Sequence, residues 1–377
     1  MIGSENMPEG TPVVRGPNFD DPVVATTLDG LLGSFSTMGF QATGLSQAID
    51  EVNKMLNWRL SDEPIRANED DKYKDPAVRA ATKCTVWLGM TSNQVSSGQR
   101  EIVRYLAQHR LVDVIVTSAG AVEEDIMKTL CPHYMGDFGL VGRHLRMRGL
   151  NRLGNLVVPN SNYVAFEEWF SPLLEKMHDE QETSGTPWTP STIIERFGRE
   201  VNNPDSVWYW CARNGIPVFC PGLTDGAIGD MLYFHDWKRG GFIVDICKDV
   251  RRINDLSVRA KKSGMVILGG GLIKHHVCNA NLMRNGADYS VFINTSGDYD
   301  GSDTGARPDE AVSWGKIKME ATPVKLYGDA TILFPLIVSQ SFAKYVARGF
   351  VPEPGHKEKE EKRKAIAAGI ASVGTPR

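Results

Sequence analysis

The chain has 377 residues, enough for one large domain or two around a substantial core. Hydrophobic residues make up 41% and charged ones 23%, an ordinary globular balance that sets aside a disordered or fibrous chain. A formal net charge of −4 argues against nucleic acid as a partner and suits cationic substrates.

Residues 1 to about 25 are polar and marked by proline and glycine, which suits an arm. They lack an apolar signal core, and no apolar run in the chain is long enough to span a bilayer. Leu45, Ile49, Val52 and Leu56 recur at helical spacing after Thr43 and Gly44, predicting an amphipathic helix. Residues 61–77 are charged and broken by proline, as in an exposed connection. Residues 1–81 thus read as an N-terminal arm and helical segment. Six cysteines (Cys84, Cys131, Cys211, Cys220, Cys247, Cys278) show neither a CxxC pair nor zinc spacing. Reduced thiols, a cytoplasmic location and no metal are the expectation.

From Thr82 the pattern changes to repeated strand, polar or Gly-rich loop, and helix. Strands are predicted at 85–88, 112–116, 216–219, 265–268, 290–293 and 324–327. The loops after them hold residues 89–94, 117–125, 221–230, 269–276, 295–316 and 328–330. This alternation predicts an α/β fold: a doubly wound, mostly parallel, Rossmann-like sheet with helices on both faces and the N-terminal helical arm. All such loops emerge on one edge, where ligands bind. One domain over 82–350 follows, with an insertion at about 160–205. There Phe166, Trp169, Phe170, Leu173, Leu174 and Met177 form a helical stripe suited to core packing or an oligomer face. Residues 351–377 include eight consecutive charges, 357–364, and read as a solvated or disordered tail.

The loop at 298–316 carries the chemistry. Asp298, Asp300, Asp303, Asp309 and Glu310 sit among Gly, Ser and Pro, followed by Trp314 and Lys316. Clustered carboxylates need a cationic partner. A calcium loop would need Asp at position 5, Gly at 6 and Glu at 12, whereas counting from Asp298 gives Ser302, Asp303 and Asp309. A polyamine fits better, because Trp314 can cover methylenes and attract an ammonium. Lys316 can then form an imine. A solvated acidic surface loop is the alternative on composition alone. Gly269–Gly271 suggests a tight turn without a dinucleotide fingerprint. Of the adjacent pair His275 and His276, one is expected to be structural and the other a general acid or base.

Several long segments in order, 223–231, 269–276, 279–288 and 299–316, resemble deoxyhypusine synthases over about 15–347. The resemblance implies that NAD oxidises spermidine, that 1,3-diaminopropane leaves, and that a 4-aminobutyl group passes through a lysine imine. The acceptor is a lysine of the translation initiation factor 5A precursor. Carried over by motif, Lys316 is the imine-forming lysine and His275 the proton acceptor. The spermidine positions implied are Glu123, Glu124, Asp230, Gly270, His275, Gly301, Ser302, Asp303, Glu310 and Trp314. The NAD positions implied are Ser92, Asn93, Gln94, Val95, Ser96, Ser118, Ala119, Gly120, Glu124, Asp225, Thr295, Ser296, Asp329 and Ala330. A homotetramer with active sites at subunit interfaces is implied, without membrane or nucleic-acid partners. Ala227 departs from the serine common in relatives. Homospermidine synthase, with putrescine as acceptor, and a non-catalytic regulatory subunit stay open at this point.

Overall fold

The computed structural model describes residues 7–299 and 301–349; Asp300 and the predicted tail lie outside the described residues. Among the described residues the strands are, in chain order, β1 (Thr85–Met90), β2 (Val114–Thr117), β3 (Tyr134–Met135), β4 (Leu150–Leu153), β5 (Leu156–Pro159), β6 (Val218–Phe219), β7 (Ser263–Leu268), β8 (Tyr289–Asn294) and β9 (Val324–Tyr327). Six of them form one sheet in the order β6-β2-β1-β7-β8-β9, and every pairing in it is parallel. Growth of this sheet runs outward from β1 through β2 to β6, then restarts on the other side of β1 with β7. That is the doubly wound order, with its switch point between β1 and β7.

The inner strands are largely continuous apolar runs because helices cover both faces. All six residues of β7 are buried, as are five of six in β1 and in β8. Alternation then sorts the side chains into two layers. Val86, Leu88, Ile115 and Val266 join one core with helix Phe40–Asn57. Trp87, Val114, Met265 and Phe292 join the other, with residues of helices Ile246–Arg259 and Gly271–Leu282.

Helix Phe40–Asn57 carries the stripe read from the sequence, with Leu45, Val52 and Leu56 buried and Ile49 partly so. Gly264 in β7 lies so close to it that an added β-carbon would come within 2.7 Å of Met55. This helix is therefore knit into the sheet's core. Residues 330–347 are apolar enough, and long enough, to cross a membrane by length and composition alone. They are two helices, Ala330–Gln340 and Phe342–Ala347. Phe334, Ile337 and Phe342 are fully buried in the same core, which accounts for that hydropathy.

Helices Asn160–Ser184 and Pro190–Glu200 occupy the predicted insertion. Phe166, Phe170, Leu173, Leu174 and Met177 are buried there, and Trp169 meets Phe197 edge-on with centroids 5.4 Å apart. Just before them lies an antiparallel sheet, β3-β5-β4, that the sequence reading does not contain. Its β4–β5 hairpin turns through Gly154, at φ +59°, and Asn155, a two-residue loop of the kind favoured by strand twist. β3 is only two residues long and exposed, so it has no apolar periodicity to read.

Asp125 joins the insertion to the sheet. Its carboxylate is fully buried and accepts from Arg100 Nε at 2.7 Å, Ser206 Oγ at 2.5 Å and Val207 N at 3.1 Å. Removing it takes the buried partner from Arg100, which keeps only the exposed Glu101 as an ion-pair partner, and leaves the first two amides of helix Val207–Asn214 without their acceptor. Asp125→Ala is expected to lower the unfolding free energy by about 3–5 kcal/mol, measured by urea denaturation.

Candidate active site

Parallel strands deliver their following loops to one edge, and here the loops touch at the switch point. Gly269 has φ +90°, and a β-carbon on it would come within 2.8 Å of Thr91 Oγ1. Ser92 N donates to Ser118 Oγ at 3.0 Å, joining the loops after β1 and β2. Gly120 packs so closely on Ser92 that an added β-carbon would lie 2.9 Å from Ser92 Cβ. Ser118, Ala119 and Gly120 open helix Ala119–Leu130, whose unpaired amides and dipole favour an anion.

Gln94, Val95, Ser96 and Ala119 are buried, so backbone and the Ser96 hydroxyl are what they offer a ligand. Asn93 is exposed, and its Oδ1 accepts from Thr91 Oγ1 at 2.5 Å. Further along the edge, Ser296 N donates to Asn294 Oδ1 at 3.1 Å, and the buried Asn294 Nδ2 has no partner among the described residues. Thr295 is exposed beside it. Asp329 caps helix Ala330–Gln340, its Oδ1 accepting from Thr331 N at 2.7 Å. Hydroxyls, helix amides, glycine cradles and the carboxylates of Asp225 and Asp329 thus line one edge. This donor and acceptor set fits a dinucleotide with phosphates at the helix start and acids for ribose hydroxyls.

A cavity of about 430 Å³ lies beside that edge, over Phe292 of β8. His275, Asp303, Glu310, Trp314 and Lys316 line it together. Lys316 Nζ is 5.7 Å from the centroid of the Trp314 ring, and Trp314 is 65% exposed. Asp303 Oδ2 is buried and has no hydrogen-bond partner among the described residues. Buried carboxylate oxygen without a donor calls for a cation or a donor from a ligand. Gly270 abuts the same loop, since a β-carbon there would come within 2.4 Å of Thr304. Gly301 and Ser302 are exposed at the loop's start.

Two lysines that the sequence reading gives no role hold this loop in place. Lys274 is buried, lies 5.5 Å from the Phe292 centroid, and donates to the carbonyls of Asp303 and Ala306. Burial pulls its pKa down, while Asp303 and Glu310 oppose that. Lys325 donates to Gly305 O at 2.7 Å and to the Asp298 carboxylate. Lys318 pairs with Asp288 at 2.6 Å. Three of the four nearby lysines therefore have structural partners, while Lys316 faces the cavity. His275 is exposed on the cavity side; His276 is held below its usual pKa by burial and is not part of the lining.

The remaining predicted residues lie apart from the cavity. Asp225 and Asp230 are exposed around the start of helix Ala227–Lys238. Glu123 is turned to that same helix start: Ile228 N donates to its Oε2 at 3.0 Å, and burial pushes its carboxyl up to about 7. An added β-carbon on Gly226 would come within 2.7 Å of that carboxylate. Glu124 accepts a hydrogen bond from Ser96, and burial raises its pKa.

Comparison with known proteins identifies the family. The family model for deoxyhypusine synthase matches residues 30–341. A probable deoxyhypusine synthase of Dictyostelium discoideum is 57% identical over 333 residues, covering 88% of this chain and 87% of that protein. The deoxyhypusine synthase of Arabidopsis thaliana is also 57% identical, over 83% of this chain and 86% of its own length. A solved structure from Entamoeba histolytica bearing the same family name is 32% identical with a TM-score of 0.64, covering 88% of this chain and 97% of its own. With a doubly wound sheet, an acid-lined cavity and a lysine at its wall behind that match, the chain belongs to the deoxyhypusine synthase family, transferases of hypusine biosynthesis.

Proposed function

We propose that this chain transfers the 4-aminobutyl group of spermidine, through an imine on Lys316, to one lysine of the translation initiation factor 5A precursor, with NAD as cofactor. The observation that supports the residue assignments is the shared cavity of His275, Asp303, Glu310, Trp314 and Lys316 beside the dinucleotide-like edge. Bound NAD would take a hydride from spermidine and give it back to the product imine. The residues that would hold it are those of 92–96, Ser118, Ala119, Gly120, Asp225, Thr295, Ser296, Asp329 and Ala330.

Asp303 and Glu310 pair with the ammoniums of spermidine, and Trp314 covers its methylenes. His275 accepts the proton that the secondary ammonium of spermidine gives up before hydride loss from the neutral amine leaves an iminium. The Lys316 amine, as its free base, adds to that iminium carbon. 1,3-Diaminopropane departs, and the C4 unit stays on Lys316 as an imine. The amine of the acceptor lysine then displaces Lys316.

Asp230 supports a site completed across subunits, as in a homotetramer. It lies outside the cavity, on a helix whose Tyr233, Phe234 and Trp237 are 67%, 49% and 80% exposed. Exposed aromatics of this size mark an interface core. A cytoplasmic site of action goes with the reading, since the acceptor is a translation factor.

Four outcomes are expected. Lys316→Ala abolishes transfer of labelled carbon from spermidine to the precursor, a fall of about 10³-fold or more, and normal transfer would refute the nucleophile. Putrescine added in competition leaves that transfer dominant. Glu310→Gln raises the KM for spermidine by about tenfold or more, the worth of one charge-assisted hydrogen bond, and an unchanged KM would count against the ion pair. Mixing inactive Asp230→Ala and Lys316→Ala chains after dissociation restores part of the activity if each site draws on two subunits, and restores none if it does not.

A further inference from the structure

Behind Glu124 lies a side chain that none of the chemistry above uses. His133 sits in the connection from helix Ala119–Leu130 to β3, and its imidazole is 4% exposed. Neither ring nitrogen has a hydrogen-bond partner among the described residues. Its Nδ1 faces Glu124 Oε2 at 4.0 Å, and that oxygen is also buried and unpartnered. Glu124 is thus bonded on one side only, to Ser96 of the loop after β1. An orphan donor and an orphan acceptor facing each other in a dry spot are rare unless they join in some state of the protein. A side-chain movement of about 1 Å brings them to hydrogen-bonding distance.

We propose that His133 is a positioning residue for Glu124, its neutral imidazole donating Nδ1–H to Oε2 and so holding the carboxylate ionised and aimed between the two ligands. The inference rests on the functional reading above for what Glu124 faces. The surroundings favour this protonation pattern. Burial, with Lys128 and Arg100 nearby, pushes the His133 pKa down to about 4, so the ring is a neutral donor at working pH. The other ionisable groups facing Glu124 are Lys128 on its own helix, Glu123 beside it and Tyr163 from helix Asn160–Ser184. Burial raises the Glu124 pKa, and a donor at Oε2 works against that rise. No covalent step or net proton loss is involved.

The sign of the pH effect follows. Loss of the donor lets the Glu124 pKa rise further, so the carboxylate protonates at a higher pH and ligand affinity fails earlier as pH drops. The test is calorimetric titration of NAD into the full chain from acid to neutral pH, for wild type, His133→Phe and His133→Asn. His133→Phe keeps the ring volume without a donor; His133→Asn keeps a neutral donor and reports on folding as well. His133→Phe is expected to move the acid limb up by about one pH unit, equivalent to about tenfold in affinity on that limb, with His133→Asn staying near wild type. A purely structural histidine would weaken binding at every pH and leave the limb in place. An unmoved limb in His133→Phe, or no acid limb in the wild type, overturns the proposal. A wild-type chain that binds no NAD overturns the functional reading instead. The pairing is then decided without ligand, from the Glu124 carboxyl titration in 13C-glutamate-labelled protein, where an identical midpoint in wild type and His133→Phe rejects it.

Discussion

Two ammonium groups beneath an acidic loop are the constraint on which the site depends. Carboxylates gathered at one cavity repel one another, and a Gly- and Ser-rich backbone offers little resistance to their separation. Lys274 and Lys325 supply that resistance, mainly through the loop's backbone carbonyls. Lys274 holds Asp303 and Ala306 from below; Lys325 holds Gly305 and Ser296 from the strand beside it. Because Lys274 spends its donors on carbonyls, the buried Oδ2 of Asp303 is left without a donor among the described residues. Lys325 takes Asp298, the acid farthest from Trp314 in the loop. The cationic anchors thus fix the loop without neutralising the acids that line the cavity.

The sheet supplies the second half of the site. Its order reverses between β1 and β7, which opens a crevice there, and glycines let the bordering loops approach to contact distance. The loop after β7 then serves both halves. Gly269 packs on Thr91 at the dinucleotide-like edge, while Gly270 and Gly271 pack on Thr304 of the acidic loop, whose Oγ1 accepts from Gly271 N at 2.9 Å. One glycine triplet therefore sets the spacing between the two places where ligands are proposed to meet. A residue with a β-carbon at 270 would push them apart.

Much of this was legible in the sequence, for physical reasons that differ by element. Five of the six parallel strands are buried on both faces, so they appear as plain apolar runs; β9, at the sheet's edge, is only partly buried. Helix Phe40–Asn57 shows its stripe because one side meets the sheet. The cavity residues Asp303, Glu310, Trp314 and Lys316 fall within one short stretch, so local reading finds them. What escaped depends on contacts across long separations or on exposed backbone. β3 is too short and too exposed to have a pattern. That the Glu123 carboxylate accepts from a helix start 105 residues away is a contact no local reading shows. Lys274, on a helix, and Lys325, on a strand, look like ordinary lysines until their carbonyl partners are seen. His133 follows a proline in no motif, and only its burial opposite Glu124 distinguishes it.

The central claim is that Lys316 carries the C4 unit of spermidine between donor and acceptor. The most direct measurement is incubation of the chain with NAD and labelled spermidine, borohydride reduction, digestion and location of the label. The account predicts one labelled peptide, modified at Lys316 and absent from Lys316→Ala. Label on Lys274, Lys318 or Lys325, or no covalent label at all, would contradict it.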